Sequence, residues 1–188
     1  MSRQCIGPPG SFGAQRSRTH ADAVGPSTAH GDENAALAAA ALAWSQNSKR
    51  YAVATADRVI HLYNENGEKK DKFTTRPAEK DNKSYIVRAV CFSPDNQKIA
   101  IAQSDNIVFI YKIGAEWNEK KSICNKFLQN SSVTCMCWPN DRNNELFFGL
   151  QEGKVKVGLL RNNKSQSVYG TESFVVSISA SPDGRSIV

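Results

Sequence analysis

At 188 residues the chain is long enough for one ordinary domain with a real core. Its 24 Lys and Arg exceed its 18 Asp and Glu, but the charges interleave from Arg3 to Arg185, a pattern that excludes an obvious nucleic-acid stripe. The five cysteines, Cys5, Cys91, Cys124, Cys135 and Cys137, lack a framework spacing. They argue against a disulfide-stapled secreted scaffold and for a reducing compartment.

Residues 1–40 are Gly, Pro, Ser, His, Arg and Ala with almost no large apolar side chain. Little there repays the entropy of ordering, so the segment reads as disordered. Its arginines and serines faintly suggest a mitochondrial transit peptide, against which stand Asp22, Asp32 and Glu33. The apolar run from Ala35 to Trp44 is too short for a bilayer span and has no basic flank. In a soluble intracellular chain, the N-x-S triplets at Asn82, Asn130 and Asn163 are ordinary loop asparagines.

From Ala41 onward short apolar segments are broken by turn chemistry at matching places. A strand ending in a bulky residue comes first, as in Leu42 to Trp44, Val87 to Phe92, Val133 to Trp138 and Val175 to Ala180. A polar turn follows ("SQNS", "SPDN", "PNDR", "SPDG"), in which Pro and Asp or Asn preset a tight reversal. Next come a second strand ("YAVAT", "IAIAQ", "LFFGL"), another reversal, and a third strand ("VIHLY", "IVFIY", "VKVGL"). A more polar fourth strand completes the unit at "DKFTT", "NKFLQ" and "QSVYG".

The intervals from Trp44 to Phe92, Trp138 and Ala180 are about 48, 46 and 42 residues, close to the roughly 40–45 of WD40 blades. The expected fold is all-β: an incomplete WD40-type propeller at 41–188, following a disordered segment at 1–40. Blade 1 falls at about 41–75, blade 2 at about 86–129, blade 3 at about 132–171, and the start of a fourth at about 174–188. The "GH" and "WD" dipeptides are absent and the third strands finish with Tyr63 and Tyr111. Apolar stacking between blades is therefore expected to supply most of the cohesion. A β-sandwich of short strands is the structural competitor.

Closed propellers have about 4–8 blades. Leaving about 500 Å² of apolar surface uncovered would forfeit roughly 12 kcal/mol, comparable with a whole domain's stability. The expectation is a truncated piece of a longer protein or, failing that, a chain that aggregates or completes itself on a partner.

No reaction chemistry is expected. Cys135-Met136-Cys137 aims both sulfurs to one strand face, and no second pair or nearby histidine completes four ligands. "GLQEGK", Gly149 to Lys154, lacks the phosphate-loop spacing and the following helix. His61 sits within a strand and His20 and His30 in the first segment, none with a nucleophile that spacing would place beside it. Catalytic, cofactor-binding and metal residues are accordingly none. The longest connection, "TTRPAEKDNKSY" from Thr74 to Tyr85, mixes both charges. Loops of that length on a rigid scaffold often carry contacts, which makes Arg76, Lys80 and Lys83 candidates for a partner-facing surface; a merely solvated connection is the alternative.

Specific motifs sit on this frame: "WSQN" at Trp44, "GEKKDKF" at Gly67, "KSYIV" at Lys83, "FSPDNQKIAIAQSDNI" at Phe92, "YKIGAEW" at Tyr111, "ICNKF" at Ile123 and "YGTES" at Tyr169. In this order, from about residue 41 to the end, the chain resembles the WD40-propeller scaffold subunits of the intraflagellar transport B complex. The resemblance implies a non-enzymatic scaffold in cilium assembly, carrying cargo along the axoneme, found at the axoneme and basal body on the cytoplasmic side. Its implied partners are other B-complex subunits, with no cofactor, no small-molecule substrate and no nucleic acid. Fold alone leaves open a scaffold of another assembly such as a vesicle coat, or a basic face that binds anionic lipid or RNA.

Overall fold

The computed structural model describes residues 38–80 and 84–188. Apart from positions 38–40, the segment read as disordered lies outside the described residues, as do Cys5, His20, His30 and Lys83. The described residues form three four-stranded antiparallel sheets. The first contains β1 (Ala39–Trp44), β2 (Arg50–Thr55), β3 (Val59–Asn64) and β4 (Lys69–Thr74). The second contains β5 (Val87–Phe92), β6 (Lys98–Gln103), β7 (Ile107–Lys112) and β8 (Ser122–Leu128). The third contains β9 (Val133–Cys137), β10 (Glu145–Leu150), β11 (Lys154–Leu159) and β12 (Lys164–Gly170).

Within every sheet spatial order follows chain order, and β1, β5 and β9 lie beside one another. These are propeller blades fanned from their first strands, not the two facing sheets of a sandwich. The propeller is not closed. Of the expected fourth blade there is a single antiparallel bridge, Ala180 to Ile187, and Val175 to Ser179 form no regular strand.

Strand alternation explains why the blades stack. Successive side chains point to opposite faces, so each sheet has two unlike faces. One is floored by small residues: Ala41 opposite Ala54 and Ala43 opposite Ala52 in the first sheet, Ala89 opposite Ala102 and Cys91 opposite Ala100 in the second. The other face is bulky: Phe92, Ile99 and Tyr111 form one cross-strand row, and Val90, Ile101 and Phe109 the next. The small face of the first sheet and the bulky face of the second share one core cluster; the small face of the second and the bulky face of the third share another, with Trp138, Leu146 and Phe148. Phe73 of β4 meets the Tyr111 ring at 5.1 Å. At the next interface Phe127 of β8 occupies the matching place, and the β11 residue against it is Gly158, where a Cβ would lie 2.9 Å from the ring.

Polar ties that the sequence did not announce accompany this stacking. Ser93 Oγ donates to Asp95 Oδ1 (2.5 Å) while the amides of Gln97 and Lys98 donate back to the same two side chains; Ser181, Asp183, Arg185 and Ser186 repeat the pattern, and Ser45, Asn47, Lys49 and Arg50 give a third copy. Ser48, Asn96 and Gly184 take positive φ at the same point of each turn. The connection between β7 and β8 reaches back to the first sheet. There Arg50 lies 4.3 Å from the Trp117 ring centroid and donates to the carbonyls of Gly114 and Ala115, while Asp71 accepts from Asn118 N (3.0 Å) and pairs with Lys121.

Burial pushes the Asp71 carboxyl up, but the bonds from Lys121 and from the amides of Lys72 and Asn118 together hold it below its ordinary 3.8. A lowered folded value means that the stabilisation is complete above the unfolded value and is lost as pH falls through the folded one. D71N should therefore cost about 2–4 kcal/mol at pH 7 and weaken the acid dependence of thermal melting below about pH 4. The same melts test the face complementarity: Ala100→Leu should cost about 1–3 kcal/mol by overpacking, and Phe148→Ala about 3–5 kcal/mol by cavity formation.

Candidate interaction surface

The connection from β4 to β5 leaves the first sheet at Thr75 and enters the second at Tyr85, and hydrogen bonds anchor both of its feet. Thr75 is buried; its amide and hydroxyl both donate to Arg58 O at 3.1 Å. Tyr85, 6% exposed, donates through its hydroxyl to Thr75 O at 2.9 Å and lies 3.0 Å from Thr75 Oγ1. The Arg58 guanidinium sits 5.1 Å from the Tyr85 ring centroid. Arg76 N donates to the Tyr111 hydroxyl (3.0 Å), and Ala78 N to Asp105 Oδ2 (2.8 Å). Tyr111, at the place where a Trp-Asp pair was expected, thus ties the outgoing loop of one blade to the third strand of the next.

With Ala78 packed on the core, the side chains left facing outward are Arg76, Glu79 and Lys80, all exposed. Arg76 and Lys80 are brought onto one loop, and Lys83 lies outside the described residues. Beside this loop runs a cleft of about 620 Å³ whose lining includes Glu79, Asp105, Ile107, Lys126 and Leu128. Leu128 is 70% exposed, and Asp105 Oδ1 is buried with no hydrogen-bond partner. Sequence reading found the loop but not the cleft. The acid in "SDN" and the leucine in "KFL" become neighbours only when β6, β7 and β8 pair, and no local pattern signals that.

The remaining candidates fall to their surroundings. Burial pushes the Cys91 thiol up to about 12, with Cys137 adding to the rise, and burial likewise raises Cys137. Such thiols are poor nucleophiles and ligands at neutral pH. Among the described residues no group of three or more His, Cys, Asp or Glu is placed to hold a metal ion. His61 is held below 6.5 by burial, then by Lys69 and Lys72 against the opposing pull of Asp57, and its Nδ1 is buried without a partner. "GLQEGK" is the reversal between β10 and β11.

Comparison with known proteins agrees with this architecture. Residues 76–112 match the family model described as WD domain, G-beta repeat. Over 149 residues, 78% of the chain, it is 49% identical to the human intraflagellar transport protein 172 homolog and 54% identical to that of Danio rerio. It is 51% identical over 155 residues to intraflagellar transport protein 172 of Chlamydomonas reinhardtii. The chain spans only 8–9% of the length of these relatives. Among solved structures, the β-propeller domain of Cps50 (Swd1) from Myceliophteria thermophila superposes with a TM-score of 0.59 at 14% identity, covering 79% of this chain and 47% of that one. That likeness is one of fold.

Tyr85→Phe removes the hydroxyl that closes the loop and leaves the buried Thr75 carbonyl short of a donor. The expected result is a loss of about 1–2 kcal/mol and faster tryptic cleavage after Lys80, read by limited proteolysis and mass spectrometry.

Proposed function

We propose that this chain, half identical over most of its length to intraflagellar transport 172 proteins, is a non-enzymatic protein-interaction scaffold of the intraflagellar transport B complex. It acts at the cilium, in cilium assembly and transport along the axoneme, on the cytoplasmic side and at the basal body. The 149-residue similarity to relatives of that name carries the reading. Its physical support is a set of stacked blades whose turns, and whose long loop at Thr75, Arg76, Ala78 and Tyr85, are hydrogen-bonded in place, a rim of the kind on which other subunits assemble. The partner-facing element is the loop after Thr75, with Arg76 and Lys80 beside the Glu79–Leu128 cleft and Lys83 following them in the sequence.

The test is affinity capture of the full chain from ciliated-cell extract at low and high salt. B-complex subunits should co-purify with a loss at high salt no steeper than the roughly fivefold share carried by the loop's charges, whereas a much steeper loss would point to anionic lipid or RNA instead. Reversing Arg76, Lys80 and Lys83 together to Glu should lower that recovery at least about fivefold while circular dichroism stays unchanged. Unchanged recovery removes the loop from the proposal, and absence of every B-complex subunit removes the function.

A further inference from the structure

Asn66-Gly67, in the reversal between β3 and β4, is the chain's single Asn-Gly pair. Glycine has no side chain to shield its nitrogen, so in an open chain that nitrogen can reach the side-chain amide carbon of the asparagine before it. Asn66 is exposed. What restrains it is the turn itself.

Asn64 N donates to Glu68 O (3.0 Å) and Gly67 N to Asn64 O (3.1 Å), which encloses a three-residue hairpin loop of Glu65, Asn66 and Gly67. Gly67 takes a φ of 83° while neither Glu65 nor Asn66 has a positive φ, the pattern of a type I turn followed by a left-handed glycine. The second central residue of such a turn has a ψ of about 0°. That angle sets the Gly67 nitrogen over Asn66's own nitrogen and away from the Asn66 side chain. The buried Asn64 side chain fastens the arrangement: its Oδ1 accepts from Asn66 N (3.1 Å) and Glu68 N (2.9 Å), and its Nδ2 donates to Glu68 Oε2 (2.7 Å).

We propose that Asn66 is a site of spontaneous, irreversible modification whose lock is Asn64: the closed turn keeps the amide, and opening of the turn releases it. Once the turn opens, Gly67 N bonds to Asn66 Cγ, the bond from Cγ to the side-chain nitrogen breaks, and that nitrogen leaves as ammonia with the proton lost from Gly67. Water then opens the resulting imide ring. Addition at Cγ gives aspartate, and addition at the main-chain carbonyl gives isoaspartate, whose backbone is longer by a methylene group. Either product sets a new carboxylate between Glu65 and Glu68, and the longer backbone no longer brings Gly67 N to Asn64 O. Because β4 follows directly and carries Asp71 and Phe73, which hold the first interface, the modification is a lasting chemical record that the first blade has opened.

The full chain and a synthetic peptide of residues 59–74 are incubated side by side in mildly alkaline buffer. Conversion at Asn66 is followed by peptide mapping and mass spectrometry, with fragmentation that separates aspartate from isoaspartate. The peptide should convert, and the folded chain should convert at least about tenfold more slowly. Asn64→Ala removes the side-chain bonds of the lock and should speed the chain at least about fivefold. Asn64→Asp keeps the accepting oxygen, and Glu68, more than half exposed and paired with Lys70, is free to turn from it; its rate should stay within about twofold of the unsubstituted chain. Urea supplies an arm that needs no variant to fold: the rate of the unsubstituted chain should climb to that of the peptide as the chain unfolds. The proposal is overturned if the folded chain converts as fast as the peptide, if Asn64→Ala with unchanged circular dichroism converts no faster, or if urea leaves the rate unaltered. It is also overturned if the peptide itself keeps its amide.

Discussion

Everything in this molecule depends on the fit between a small face and a bulky one. A four-stranded sheet has two sides to bury, and the sequence makes them unlike on the first two strands: alanine, cysteine and glycine floor most of one side there, with the larger Ile60, Val108 and Phe127 confined to its outer strands, while isoleucine, phenylalanine and tryptophan fill the other. Two bulky faces would hold the sheets apart and two small ones would leave voids, and either departs from native packing density. Joined unlike to unlike, each sheet fixes the spacing and sense of the next, and direction is written into the stack. The first sheet opens outward with its bulky side, where Trp44, Tyr51 and Tyr63 form a row with Leu42 beside it.

Polar groups then fix what packing alone leaves free. Apolar stacking is tolerant of sliding, whereas a hydrogen bond such as Arg76 N to the Tyr111 hydroxyl or Asn118 N to Asp71 is made at one register only. These ties stand at both ends of the first interface, one on the loop between β4 and β5, the other on the connection between β7 and β8. Loops held at such points make good display surfaces because little order is left to be lost when a partner arrives.

Much of this was legible in the chain. The alternation in "IAIAQ" and "IVFIY" and the turn chemistry of "SPDN" determine strand, reversal and face together, so all-β blades followed from local pattern. Tyr63 and Tyr111 were visible as departures from Trp-Asp. That Tyr111 would receive the Arg76 amide was not, since the two meet only when neighbouring blades stack. The same holds for the Asp71–Lys121 pair, which lie fifty positions apart, and for the cleft beside Leu128. Val175 to Ala180 read as a full strand by composition, but with one bridge to hold it, most of the segment stays irregular.

The contact between Phe127 and Gly158 constrains how such a repeat can drift. At the equivalent interface the ring of Phe73 meets Tyr111, so two aromatic groups fill a space that elsewhere holds one ring and bare backbone. The fourth-strand residue is phenylalanine at both seams while its third-strand counterpart changes from tyrosine to glycine, so one ring is covered by a side chain and the other by main chain. The motif can thus change on one side of a seam without changing the other: consecutive units lose their resemblance to one another while the same ring keeps a cover at both described seams.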